Sequence, residues 1–168
     1  MNDQVTTGED ARRLVSNLKT VLNTGAVDLT ITADYGHGMF NDDSIKILCN
    51  TSPFLALNVQ CNAGNRGLNS ISKYFRADYV CLAAHELAME IREKQVSKHE
   101  KVKLLSRRIE CSRFTVTYGK SGTLHYDASG AVHEAPALAV KVVDRVGAGD
   151  AVLAVTSLLV KLGAPGAI

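Results

Sequence analysis

The apolar positions of this chain switch repeatedly between helical spacing and short continuous runs. Ala11 to Leu22 (ARRLVSNLKTVL) has apolar residues at helical intervals after the capping candidates Thr7 and Asp10, and Val27 to Ala33 (VDLTITA) is a short run rich in β-formers. Asp42 to Leu48 reads as a second helix, Phe54 to Gln60 (FLALNVQ) as a second strand, Leu68 to Phe75 as a short helix and Ala77 to Leu82 (ADYVCL) as a third strand. Helical segments His85 to Lys94 and Lys98 to Glu110 carry both charge signs around an apolar stripe, the pattern of solvated helix faces. Arg113 to Tyr118 (RFTVTY) predicts a fourth strand. Turns at residues 119–122 and 127–130 frame Thr123 to Tyr126 and Val132 to Glu134 as a small β-hairpin. Ala137 to Val143 predicts a last strand before a helix over Asp150 to Leu162. Short strands separated by helices predict an α/β fold, a mainly parallel sheet flanked by helices on both faces, with the hairpin near residues 122–134.

Composition narrows the class. At 168 residues and 46% hydrophobic, the chain supplies one sizeable core, so residues 1–168 read as a single α/β domain. Nineteen basic against seventeen acidic residues leave a formal charge of +2, which argues for neither nucleic acid nor membrane surface as partner. Anionic small molecules would have to be caught by local groups. Cys49, Cys61, Cys81 and Cys111 show no C-x-x-C spacing and lie in or beside apolar segments, as reduced core thiols of a cytoplasmic protein do. The N-terminal residues MNDQVTTGED read as neither an export signal nor a membrane helix.

Candidate chemistry concentrates late in the chain. Gly147 and Gly149 remove side chains where backbone must approach a ligand, and a helix opening near Asp150 would aim unpaired N–H groups at an anion. A carboxylate beside a bound phosphate makes sense as a base for an attacking hydroxyl or as a metal partner. An ordinary Gly-rich turn with Asp capping the helix fits the same residues. In a parallel sheet, ligands gather at the C-terminal strand ends, where three further glycine-bearing segments fall: residues 34–38 (DYGHG), 62–67 (NAGNRG) and 117–122 (TYGKSG). His85-Glu86 begins a zinc-protease motif, but Met89 stands where its second histidine is needed. His37, His99, His125 and His133 have no ligand spacing and read as turn or surface residues.

The stretch Asp144-Arg145-Val146-Gly147-Ala148-Gly149-Asp150 resembles the C-terminal signature of the PfkB, or ribokinase-like, carbohydrate kinases, usually D-T-x-G-A-G-D. The resemblance implies that Gly147, Ala148 and Gly149 form the anion hole for the transferred phosphate and that Asp150 is the catalytic base. Residues 115–122 resemble the family's nucleotide-contacting strand and turn, which implies ATP contacts from Thr117, Gly119 and Gly122, with Arg145 adding a cation near the phosphates. Residues 33–38, 62–65 and 74–81 are similar to the kinase module of bacterial heptose-phosphate kinase/ADP-heptose synthase proteins. That likeness implies a sugar or sugar-phosphate acceptor with Asp34, Gly36, Asn62 and Asn65 near it. Glu86 matches the Glu of the family's N-x-x-E, which serves Mg²⁺ through water, but Ala83 replaces the Asn. The resemblance covers only the middle and C-terminal part of a family domain, so a kinase domain lacking its N-terminal sugar-binding and lid portion and its terminal helices is expected. The activity expected of the complete protein is phosphoryl transfer from ATP; the alternative is a non-catalytic nucleotide-binding or interaction module derived from such a kinase. Homodimerisation, or association through the missing parts, is a further expectation.

Overall fold

The computed structural model describes residues 8–61, 68–138 and 147–166. Among these described residues, five helices, α1 (Gly8–Leu22), α2 (Asp42–Thr51), α3 (Ala84–Glu90), α4 (Lys98–Arg108) and α5 (Ala148–Lys161), accompany six strands. The strands are β1 (Thr30–Asp34), β2 (Leu55–Val59), β3 (Tyr79–Ala83), β4 (Phe114–Thr117), β5 (Thr123–Tyr126) and β6 (Val132–Ala135), in that order across one sheet. Strands β1 to β4 are parallel, while β5 and β6 continue the sheet antiparallel. The mixed α/β fold and the hairpin expected from the hydrophobic pattern are both present.

Strand β2 explains the layering. Leu55, Leu57 and Val59 face the layer built by α2, α3 and α4, whereas Ala56 faces the α5 side with Tyr79, Cys81 and Leu153. All five β2 residues are buried, as an interior strand covered on both faces must be. Each buried Leu contributes about 2 kcal/mol relative to exposure. Helix α2 starts at an Asn41 cap: Asn41 Oδ1 accepts from Ser44 N, and Ser44 Oγ accepts from Asn41 N.

Two expectations need revision. Residues 68–75 form only a 3₁₀ turn, Ile71–Lys73, instead of a helix. The backbone turns extended at Tyr74 because that fully buried ring must reach Asp34, its hydroxyl donating to Oδ2 at 2.9 Å. His125 and His133 lie half-buried opposite each other on β5 and β6 instead of in turns, whereas His99 is exposed on α4, a surface residue as expected, with its ring against Tyr126. The strand expected over 137–143 lies largely outside the described residues. Gly122 closes the β4–β5 turn at φ 84°, where a Cβ would lie 2.0 Å from the Ala135 carbonyl oxygen, so only glycine fits.

Candidate active site

Parallel strands β1 to β4 end on the same side of the sheet, and α5 begins there. Together they enclose a cleft of about 470 Å³. Tyr35 follows β1, Asn58 and Gln60 come from the end of β2, Ala83 and Glu86 from the β3–α3 junction, Thr117 from the end of β4, and Gly147, Gly149 and Asp150 from the start of α5. Five chain segments far apart in sequence therefore meet around one space, as the rule for ligand sites in such sheets anticipates.

The start of α5 is shaped for an anion. Gly147 adopts a left-handed conformation (φ 78°, ψ −7°), and its carbonyl accepts the amide of Ala151 at 2.9 Å. The amides of Ala148, Gly149 and Asp150 belong to the first turn, whose N–H groups have no partner within a helix. The N-cap residue, Gly147, supplies no side-chain cap. Asp150, the residue that would cap it under the ordinary-turn reading, instead has Oδ1 on the Gln60 side-chain amide at 2.9 Å. The Tyr35 hydroxyl bonds the same carboxylate, and that bond, burial and the Asp150 charge raise its pKa above the ordinary phenol value.

Glu86 closes the opposite wall. Its Oε2 accepts from the Ala83 amide at 2.7 Å and its Oε1 from the Cys61 amide at 3.2 Å. Burial raises its pKa above the usual carboxylate value, opposed by those two amides and by His85. Glu86 also lines a second cleft of about 300 Å³ on its far side, beside Cys61, Asn69 and Glu90. In the first cleft, Asn58 Nδ2 donates to the Cys81 carbonyl at 2.8 Å, while its buried Oδ1 has no hydrogen-bond partner among the described residues. Among the described residues no cluster of three or more His, Cys, Asp or Glu could hold a metal ion. The donors here, two carboxylates and an amide oxygen, suit Mg²⁺ entering with a phosphate ligand, because that ion keeps its waters and needs one or two carboxylates.

The other sequence-derived candidates separate into distinct places. Asp34 is buried, and its carboxylate is occupied by the Gly36 amide and the Tyr74 hydroxyl, both at 2.9 Å, and by Lys73 Nζ at 2.6 Å. It and Gly36 do not line the cleft, and their contact fixes the loop that carries Tyr35. Gly119 and Gly122 form the turn beyond Thr117 and do not line the cleft. Asn62, Asn65 and Arg145 lie outside the described residues. Cys49, Cys81 and Cys111 are buried free thiols, whereas Cys61 is partly exposed. Gln60, Tyr35 and Asn58 went unassigned in the sequence. The signal available was polar residues at Asn58 and Gln60 ending the otherwise apolar run of β2.

A family model for pfkB family carbohydrate kinases matches residues 52–164. The chain belongs to this PfkB family. Its fold is that of solved ribokinase-like structures. A phosphofructokinase-2 mutant from Escherichia coli superposes with a TM-score of 0.74 at 13% identity over 95% of this chain and 52% of that one. Ribokinase from Arabidopsis thaliana, complexed with ribose and ATP, gives 0.64 at 16% identity over 90% and 47%. Adenosine kinase from Sinorhizobium meliloti gives 0.67 at 17% identity over 89% and 46%. This PfkB chain thus spans about half the length of these structures, and at such identities the likeness carries the fold alone. No curated protein matches the sequence. Among the described residues of this PfkB protein, no helix is long and apolar enough to cross a membrane.

Proposed function

We propose that this chain carries the phosphoryl-transfer centre of an ATP-dependent carbohydrate kinase whose acceptor is a hydroxyl of a sugar or sugar phosphate, a heptose phosphate being the first to test. The observation that supports it is the junction of Asp150 with the first-turn amides of α5 in a cleft that also holds Thr117 and Glu86. Asp150 accepts the proton of the attacking hydroxyl. A sugar hydroxyl is a very weak acid, so the proton moves late, once the transferring group has left the nucleotide in a loose transition state. Amides of Ala148 and Gly149 bind the charge on that group from a fixed direction, so no reorganisation is needed as the charge develops. Thr117 and the turn at Gly119 to Gly122 border the nucleotide, with Arg145 near its phosphates. Glu86 would hold Mg²⁺ through water, and that ion would supply neutralisation of the phosphate charge.

The test is phosphoryl transfer from γ-labelled ATP by the complete protein, offered ribose, fructose 6-phosphate, adenosine and heptose 7-phosphate. Asp150→Asn should lower turnover with the preferred acceptor about 10²- to 10⁴-fold, the range for a positioned general base. Near-normal turnover in that variant would remove Asp150 from the role. The rival reading, a nucleotide-binding module without transfer, draws on Ala83 in the wall where the family's usual motif has an amide side chain. Mg-ATP binding with no transfer to any acceptor would favour it.

A further inference from the structure

Outside the PfkB signature, one contact ties the proposed base to the sheet. Gln60 follows the last residue of β2, ninety positions before Asp150, and its Nε2 donates to Asp150 Oδ1 at 2.9 Å. Its backbone is pinned, since Gln60 N donates to the Asp34 carbonyl at 2.8 Å and the Gln60 carbonyl accepts from Asn69 Nδ2 at 3.1 Å. The amide therefore projects from a fixed point. We infer that Gln60 is a positioning residue for Asp150, setting the rotation of its carboxylate so that the remaining lone pairs face the cleft. This inference rests on the reading of Asp150 as the base.

The chemistry favours an uncharged donor at this position. A short aspartate at the first turn of a helix can rotate about its two side-chain torsions, and each wrong rotamer removes the base from the attacking hydroxyl. A carboxylate offers about four lone-pair sites. Gln60 occupies one and the Tyr35 hydroxyl another, which leaves room for the acceptor hydroxyl. A lysine or arginine in place of Gln60 would hold the carboxylate equally well, but its charge would stabilise the ionised form and weaken Asp150 as a proton acceptor. A carboxamide orients Asp150 without adding charge. Tyr35 is also neutral, and it is carried by a loop whose amide at Gly36 is fixed by Asp34. Both donors are thus anchored on strand ends, the rigid part of the fold, as precise placement of a reacting group requires.

A double-mutant cycle separates positioning from packing. In the complete protein, Gln60→Met removes the donor at similar size, and Gln60→Glu keeps the shape but sets a like charge against Asp150. Each is combined with Asp150→Asn, and transfer from γ-labelled ATP to the acceptor panel above is the probe, with Mg-ATP affinity measured by titration. Expected results are a kcat at least tenfold lower for Gln60→Met and lower still for Gln60→Glu, KM for ATP and Mg-ATP affinity within twofold of the parent, and no further loss when either change is added to Asp150→Asn. Equal losses in the presence and absence of the Asp150 carboxylate would mean that Gln60 acts on the fold, overturning the inference. So would normal kcat in both Gln60 variants alongside an inactive Asp150→Asn, a result that leaves the base assignment standing. Normal turnover in Asp150→Asn would instead overturn the base reading itself, and the inference with it.

Discussion

Asp34, a residue expected near the substrate, is a buried carboxylate that ties down the loop after β1. Four groups depend on it: the Tyr74 hydroxyl, Lys73 Nζ, the Gly36 amide and, at 3.5 Å, Asn69 Nδ2. Burial, followed by the charge of Asp34, pushes the Tyr74 phenol far above its ordinary value, so it remains a donor at every physiological pH. Removing the carboxylate leaves the fully buried Tyr74 hydroxyl without its acceptor and strips the partly exposed Lys73 ammonium of its counter-charge, although Nζ keeps Asn69 Oδ1 at 2.6 Å. Losing one partner of a buried pair costs about 3–5 kcal/mol, and the 30% exposure of Lys73 places this site at the lower end. Asp34→Ala is therefore expected to lower the unfolding free energy by about 3 kcal/mol in urea titrations, and to disturb Tyr35 at the cleft. A change below about 1 kcal/mol would mean that water replaces the carboxylate with little loss, and that the loop does not depend on it.

At the scale of elements, the hairpin β5–β6 contains a titrating contact with the rest of the fold. His125 Nδ1 meets Thr115 Oγ1 at 2.9 Å, its ring lies 6.4 Å from that of His133, and both rings line one cavity with Gly166. Burial depresses the pKa of His125 below the ordinary histidine value, and His133 and Arg113 depress it further while Asp127 opposes them. With the folded value below the unfolded one, the unfolded chain takes up the proton first as pH falls. The contribution is thus complete above about pH 6.5 and is lost as pH drops from there through the folded value. Asp127 has its own pKa lowered to about 2 by Ser129, Ala131 and His133, and so stays ionised throughout that window. The urea midpoint should fall between pH 7 and pH 5, and by less in His125→Gln, which keeps a polar side chain but does not titrate. Equal pH slopes in the two proteins would show that this imidazole does not titrate with folding. Elements like this hairpin were legible because turn residues and alternating runs are local signals. The 3₁₀ turn at Ile71–Lys73 was not, since residues 68–75 have helical spacing and the demand that overrides it, Tyr74 and Asn69 serving Asp34, comes from a distant strand. Gln60 escaped for the same reason: its partner lies ninety residues away. The glycine signature before Asp150 was readable because its chemistry is contiguous.

For the whole molecule, the question is whether half the length of a PfkB structure can hold a ligand. The sheet argues that the phosphate end can. Strands β1 to β4 deliver their ends to one cleft, and the strand cores beneath it, Leu55, Leu57, Val80 and Val116 among them, are fully buried and need nothing further to be rigid. The edge strand β1, by contrast, leaves Ile31 exposed, and the outer face of α5 exposes Val155 and Leu158, so the surroundings of the cleft are less enclosed than its floor. On the proposed reading, Mg-ATP contacts the α5 start even in this chain alone. Ligand at a hundredfold excess over its dissociation constant stabilises by about 2.7 kcal/mol, a rise in Tm of about 5–10 °C for a protein of this size. Gly149→Val is the informative control. Gly149 lines the cleft, and a Cβ there would meet no atom within 4 Å, so the fold accepts the side chain while the ligand loses that space. Its φ is not left-handed, so the substitution carries none of the backbone strain that Gly147 would suffer at φ 78°. The parent should gain several degrees with Mg-ATP, and Gly149→Val should melt near the ligand-free parent with or without it. An equal shift in both proteins would put the nucleotide phosphates somewhere other than the start of α5. No shift in the parent would mean that the first-turn amides bind phosphate only when the rest of a kinase domain encloses them.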